Sequence, residues 1–240
     1  MRRTMIANRH LVIGRRFRGP PQSGNGGYTC GMLAAAARTP VEVRLMKPPP
    51  LDRMLDIRED AESGRLLLLD GEETVASASP KTFELAVPEP PSYPDALAAV
   101  RGYEGFRHHT YPGCFVCGPE RARGDGMRIF ASPVEGRQLC AAAWLPDPSL
   151  VGPDGKVLPE FMWSALDCPG FFASSAAGRG ALLGLYAAKV DRCVHVGEAC
   201  VVIGWALGHD GRKHYTGTAV FDEDGEICGR AMATWIEPRS

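Results

Sequence analysis

The chain has 240 residues, 45% of them apolar, with 27 Lys and Arg against 28 Asp and Glu. That length holds one large domain or two modules of about 100 residues. The balanced charge supplies no strong field for nucleic acid or an acidic membrane surface, so a compact substrate is the expected partner.

Apolar runs such as Leu66–Leu69 and Val201–Ile203 fall far short of the roughly 20 residues of a bilayer span, and no membrane span is expected. The N-terminus carries Arg2, Arg3, Arg9, Arg15 and Arg16 but lacks the apolar region and cleavage site of a secretory signal. The expected location is the cytoplasm.

In chain order, a strand candidate at 10–17 precedes the glycine cluster Gly24-Asn25-Gly26-Gly27 and an Ala-rich helix from Tyr28 to Ala37 that stops before Pro40. Val41–Leu45 alternates with period two, and 51–58, 65–69 and 74–87 follow between turn signals. Residues 88–126 open on a proline cluster, end on Gly124-Asp125-Gly126 and read as a linker. Strand candidates at 127–131 and 138–145 then lead to a second apolar helix, from Glu160 to about Ala177, which starts after Pro159 and is interrupted by Pro169-Gly170. Strands are expected at 188–194, 199–207, 213–221 and 227–236, with reversals at His209-Asp210-Gly211 and Asp224-Gly225.

The order of strand, helix and four-stranded meander therefore occurs twice. A curled antiparallel sheet wrapped around one apolar helix satisfies each half. The expected class is α+β, two such units in tandem, at 1–88 and 127–240 with a CxxC-containing linker at 89–126.

The stretch from Phe17-Arg18-Gly19-Pro20 through Ser23-Gly24-Asn25-Gly26-Gly27-Tyr28, the Ala-rich helix after it, and Trp163-Ser164-Ala165-Leu166-Asp167 in the second helix resemble the thioesterase-like double-hotdog superfamily. The layout is similar to that of the type II acyl-CoA thioesterases. The resemblance implies a pseudo-dimer of hotdogs, an acyl channel where the two helices face each other, and hydrolysis of an acyl-CoA or acyl-carrier thioester with no required cofactor. Self-association into a homo-oligomer is an expectation of the same kind.

Within that frame Gly26 and Gly27 let backbone amides approach a thioester carbonyl at a positive helix terminus, and Asn25 adds a side-chain donor. The same residues equally serve as a turn and cap into the helix. Asp167 is a carboxylate among Ala165, Leu166, Cys168, Phe171 and Phe172, where an ionised group must find partners, face a cavity or shift its pKa. It is the candidate base or nucleophile, with a solvated or Arg-paired carboxylate as the plain alternative. Glu160, at the start of the same helix, ranks second. Gly26, Gly27, Tyr28, Trp163 and Arg128 are the candidate substrate contacts; Arg121, Arg123 and Arg128 offer charge for coenzyme A phosphates or form a solvated loop. Type II enzymes support their Asp with a Gln and a hydroxyl, whereas Gln22 and Gln138 lie off the late strands, so a complete triad does not transfer.

Cys114 and Cys117, with His108 and His109 upstream, form half of a zinc site; a structural zinc, a redox pair and a metal-free turn all fit the spacing. Cys30, Cys140, Cys168, Cys193, Cys200 and Cys228 are expected as buried thiols. Two rival functions remain: an acyl-thioester hydratase or dehydratase, disfavoured because no His lies near Asn25 or Glu160, and a non-catalytic acyl binder.

Overall fold

The computed structural model describes residues 9–239; Arg2 and Arg3 lie outside the described residues. The first half forms β1 (Arg9–Val12), α1 (Gly26–Ala34), β2 (Val41–Leu45), β3 (Met54–Glu59), β4 (Leu66–Asp70) and β5 (Glu73–Pro80). A connecting segment carries α2 (Tyr93–Ala99) and leads to β6 (Ser132–Pro133) and β7 (Cys140–Trp144). Then come α3 (Pro159–Ala165), α4 (Cys168–Phe172), β8 (Leu182–Val190), β9 (Cys200–Asp210), β10 (Lys213–Phe221) and β11 (Ile227–Ile236).

These strands make one antiparallel sheet in the order β1-β3-β4-β5-β2-β8-β11-β10-β9-β7-β6. From either side of the β2–β8 seam the order repeats: the first strand after the helix, then the last of the meander, then back through the meander to the strands that precede the helix, at the outer edge. At the seam Val43 lies opposite Tyr186. α1 and α3 pack against each other on the inner side of the sheet. No helix among the described residues is long and apolar enough to cross a membrane.

Glycines set the distance between these helices. A Cβ on Gly31 would lie 2.8 Å from Glu160 Cα, and one on Gly27 would lie 2.9 Å from the Trp163 carbonyl oxygen. Spaced four apart, the two share one face of α1 and let its backbone reach that of α3.

Several sequence expectations need correction. The second helix is two short helices, because Pro169 has no N–H with which to continue α3, and the Thr218 hydroxyl holds the Leu166 carbonyl at the break (2.7 Å). β8 starts at Leu182 rather than near 188: Gly184 is accommodated within the strand because Ile236 fills the space of its missing side chain. Residues 127–131 form no ladder strand; the Met127 and Ile129 amides instead bond the Phe115 and Val116 carbonyls (2.8 and 2.9 Å). The segment read as a linker is no solvated tether, since Tyr103 and Cys114 to Cys117 are core residues. α2 covers the outer face of β7 and β9, which is why Val201 to Trp205 are buried without alternation.

Two predictions follow from this packing. Gly31→Ala is expected to lower unfolding free energy by about 1–3 kcal/mol through overpacking of backbone on backbone, read as a chemical-denaturation midpoint against Gly102→Ala, where nothing lies within 4 Å. The other concerns the β10–β11 turn, where Asp222 accepts from the Asp224 and Glu226 amides (3.0 and 2.8 Å) and from Arg192 (2.5 Å). Burial alone would raise its pKa, but the Glu226 amide and Arg192 outweigh that and the net direction is down. A lowered folded pKa means that the stabilisation is present above the ordinary carboxylate range and fades as pH falls through the folded value. Asp222→Asn should therefore flatten the acid limb of the stability–pH curve and cost stability at neutral pH.

Candidate active site

The break between α3 and α4 decides where Asp167 points. Asp167 sits in the N-cap position of α4 without capping it; its carboxylate crosses instead to the start of α1. There Oδ2 accepts from the Asn25 side-chain amide (2.8 Å) and the Gly27 N–H (3.0 Å). Asn25 is the N-cap of α1, its Oδ1 accepting from the Tyr28 N–H (2.9 Å), so one side chain both closes its own helix and donates to the opposing carboxylate. An anion at the positive end of a nine-residue helix is favoured by the aligned peptide dipoles, and Gly27 permits the approach, since its Cβ would lie 2.6 Å from Asp167 Cβ.

Asp167 is 2% exposed, and its Oδ1 has no hydrogen-bond partner among the described residues. Burial pushes its pKa up to about 7; the Gly27 amide opposes the shift, Cys114 adds to it, and the Asn25 amide again opposes it. A carboxyl held near neutrality with one oxygen uncommitted is suited to exchange a proton.

Asp167, Asn25 and Gly26 wall a cavity of about 630 Å³. The apolar part of its wall includes Leu45, Leu183, Phe171, Phe172, Trp235 and Ile236, a surface matched to a hydrocarbon chain. As the first residue of α1, Gly26 carries an N–H that no intrahelical carbonyl can take.

The structure thus brings Asp167, Asn25, Gly26 and Gly27 together, with Cys114 and Cys117 in the same cavity wall, and leaves Glu160, Tyr28, Trp163 and Arg128 off that wall. Tyr28 stacks on Phe17 (4.3 Å) and Trp163 meets Tyr186 edge-on (5.5 Å); both fill the core rather than the cavity wall. Glu160 lies at the α3 start, where its charge adds to the effect of burial on the Tyr28 phenol, pushed up to about 12. Arg121 braces the Gly113 carbonyl and Asp125 (both 2.8 Å), Arg128 lies over the Phe130 ring (5.0 Å), and Arg123 bridges to Gly126. None of the three arginines walls the cavity; Lys47 does. Gln22 and Gln138 are both exposed; Gln22 lies in the cavity wall and Gln138 does not.

Sequence reasoning missed Cys168 as a partner of the CxxC. The sulfur atoms of Cys114, Cys117 and Cys168 all lie within 4.8 Å of one another, and all three residues are buried. Hydrogen bonds from the Cys117 and Cys168 thiols hold the Cys114 thiol well below its ordinary range, with the Cys117 and Val116 amides adding to the effect. Of the six cysteines expected as buried thiols, Cys193 is only half-buried. The position of Cys168 one residue after Asp167 was the available signal; its proximity to residues more than 50 positions earlier was not visible. Also unforeseen is a string from the Ser175 hydroxyl to His214 Nδ1 (2.9 Å) and from His214 Nε2 to Glu237 (2.7 Å), none of whose members walls the cavity.

No family model and no curated relative matches the sequence. Solved structures do resemble the fold. A provisionally named thioesterase from Novosphingobium aromaticivorans superposes with a TM-score of 0.63 at 11% identity, covering 99% of this chain and 98% of its own. A TesB protein from Mycobacterium avium subspecies paratuberculosis gives 0.56 at 15% identity, covering 92% and 90%. A provisionally named oleoyl thioesterase from Lactobacillus plantarum gives 0.58 at 8% identity, covering 97% and 96%. At these identities the likeness speaks for the fold: a thioesterase-type, hotdog-like fold over the whole chain.

Asn25→Ala removes the α1 cap and a donor to Asp167 together. It should lower stability by about 1–3 kcal/mol in equilibrium denaturation, and the Gly102→Ala protein serves again as the reference.

Proposed function

We propose that the chain hydrolyses an acyl thioester, carried on coenzyme A or an acyl carrier, and that it is built from two hotdog units, 1–88 and 127–240, with 89–126 between them. The repeated strand order on either side of the β2–β8 seam supports the tandem reading. The observation that carries the activity is the buried Asp167 at the head of α1, in the wall of an apolar cavity.

In this reading the acyl chain lies along Leu183, Phe171 and Ile236, and the thioester carbonyl meets the first-turn amides of α1, where negative charge that develops on oxygen is stabilised. Asp167 takes a proton from the attacking water through Oδ1. The water oxygen bonds to the carbonyl carbon, the carbon–sulfur bond breaks, and the thiolate leaves with that proton. In the nucleophilic variant an Asp167 oxygen bonds to the carbonyl carbon, the carbon–sulfur bond breaks, the thiolate leaves and takes a proton from solvent, and water then opens the anhydride to the acid and free Asp167; single-turnover hydrolysis in 18O-water separates the two, because only the anhydride route can leave label in the Asp167 side chain.

The test is thiol release from short, medium, long and aromatic acyl-CoAs. Asp167→Asn should reduce kcat by about 10²–10⁴-fold with the chain still folded, while Ser175→Ala leaves turnover unchanged. Turnover that survives Asp167→Asn overturns the assignment of this residue. Saturable acyl-CoA binding without wild-type thiol release replaces the thioesterase with a binder or an acyl-thioester hydratase.

A further inference from the structure

We propose that Cys114, Cys117 and Cys168 bind one zinc ion through three thiolates, in the wall of the cavity and beside Asp167. Zinc bound to sulfur sits at about 2.3 Å, which places tetrahedral sulfurs about 3.8 Å apart. The three sulfurs already lie within 4.8 Å of one another, so each needs to move by no more than about 1 Å to close on a metal of that bond length.

The surroundings form a built site rather than a chance meeting of thiols. Cys114 and Cys117 belong to a tight turn closed by the Gly118 N–H on the Cys114 carbonyl (3.0 Å). Only glycine fits position 118, because a Cβ there would lie 2.4 Å from the Pro112 carbonyl oxygen and 2.5 Å from Cys114 N and O. The Phe115 and Val116 carbonyls of the same turn are held by the Met127 and Ile129 amides, and the Cys117 carbonyl accepts from the buried Tyr103 hydroxyl (2.8 Å). The third sulfur comes from the first residue of α4. Asn25 supports the set from outside, its amide reaching Asp167 Oδ2 (2.8 Å) and the Cys114 sulfur (4.0 Å). Outer partners of this kind orient metal ligands.

Among the described residues no histidine nitrogen joins the three sulfurs within 4.8 Å. The Tyr111 N–H donates to His109 Nδ1 (2.9 Å), which puts the ring proton on Nε2 and makes that nitrogen a donor. All three cysteines wall the cavity, so the fourth position opens toward it. Three protein ligands and one open position form the pattern of a reactive zinc site rather than a closed structural one. Binding releases the protons carried by the three thiols and ties residues 113–118 to α4, one residue from Asp167.

The site is tested without substrate, so it and the thioesterase assignment can fail separately. Full-length protein purified under reducing conditions is reconstituted with zinc, desalted and analysed for bound metal; in parallel, cobalt(II) is titrated into the reduced apo-protein and followed by absorbance. Expected are about one zinc per chain and a thiolate-to-cobalt charge-transfer band in the near ultraviolet with visible bands of a tetrahedral ion. Cys114→Ser and Cys168→Ser should each weaken zinc binding by at least about 100-fold, and Cys193→Ser should leave it unchanged. The cobalt titration on the wild type keeps the outcome decisive if a variant fails to fold. No charge-transfer band, wild-type affinity in Cys168→Ser, or a Cys114–Cys117 disulfide that forms in preference to zinc binding each overturns the proposal.

Discussion

The contact between Asp167 and the N-terminus of α1 is the constraint on which the rest of the molecule depends. A carboxylate 2% exposed persists only if its charge is met, and here it is met by one side-chain amide and one backbone amide from the other half of the chain. Satisfying that geometry requires α1 and α3 to touch backbone to backbone, which explains glycine at 27 and 31. It also requires α3 to end at Leu166, which Pro169 and Thr218 enforce. The β2–β8 seam then holds the two helices over a shared stretch of sheet.

The same contact links the polar end of the cavity to its apolar walls. Burial raises the Asp167 pKa while the α1 amides pull it down, and the balance leaves the group able to take up and release a proton near neutrality. A carboxylate fully satisfied by donors would be a structural cap and a poor base. One with no donors would be neutral and unable to accept. Oδ2 is anchored by two donors, and Oδ1 has no hydrogen-bond partner among the described residues.

Much of this was legible in the sequence where the signal was local. Strands β10 and β11 were read with their observed bounds, because period-two alternation and Asp-Gly turns are properties of adjacent residues. Asp167 stood out because a carboxylate in an apolar helix has no local use, and the Gly24–Gly27 cluster because a turn and cap into a helix have a short-range signature. What failed was long-range or permissive. The start of β8 at Leu182 was missed because the packing of Ile236 beside Gly184 is a long-range contact. Residues 88–126 looked like a tether because their proline and glycine content reports the absence of regular structure, not the absence of burial. Tyr28, Trp163 and Arg128 carry side chains as suited to packing as to ligands, and composition does not separate the two uses. Cys168 was assigned correctly as buried, yet burial says nothing about which thiols share its pocket.

The repeat is architectural and not chemical. α1 opens on Gly26-Gly27, whose amides are free to meet an anion, whereas α3 opens on Pro159, which has no N–H, followed by Glu160 in its own first turn. The positive end of α3 is thereby countered within its own helix. At the other ends the asymmetry is reciprocal: α3 runs into Asp167, while α1 runs out through Leu33 and Ala34 to a cap at Ala35. A carboxylate at the end of α1 would face no amide, and glycines at the start of α3 would face no carboxylate. The strand order is alike on the two sides of the β2–β8 seam, but donor and acceptor meet in one place: the gap between the first turn of α1 and the break after α3.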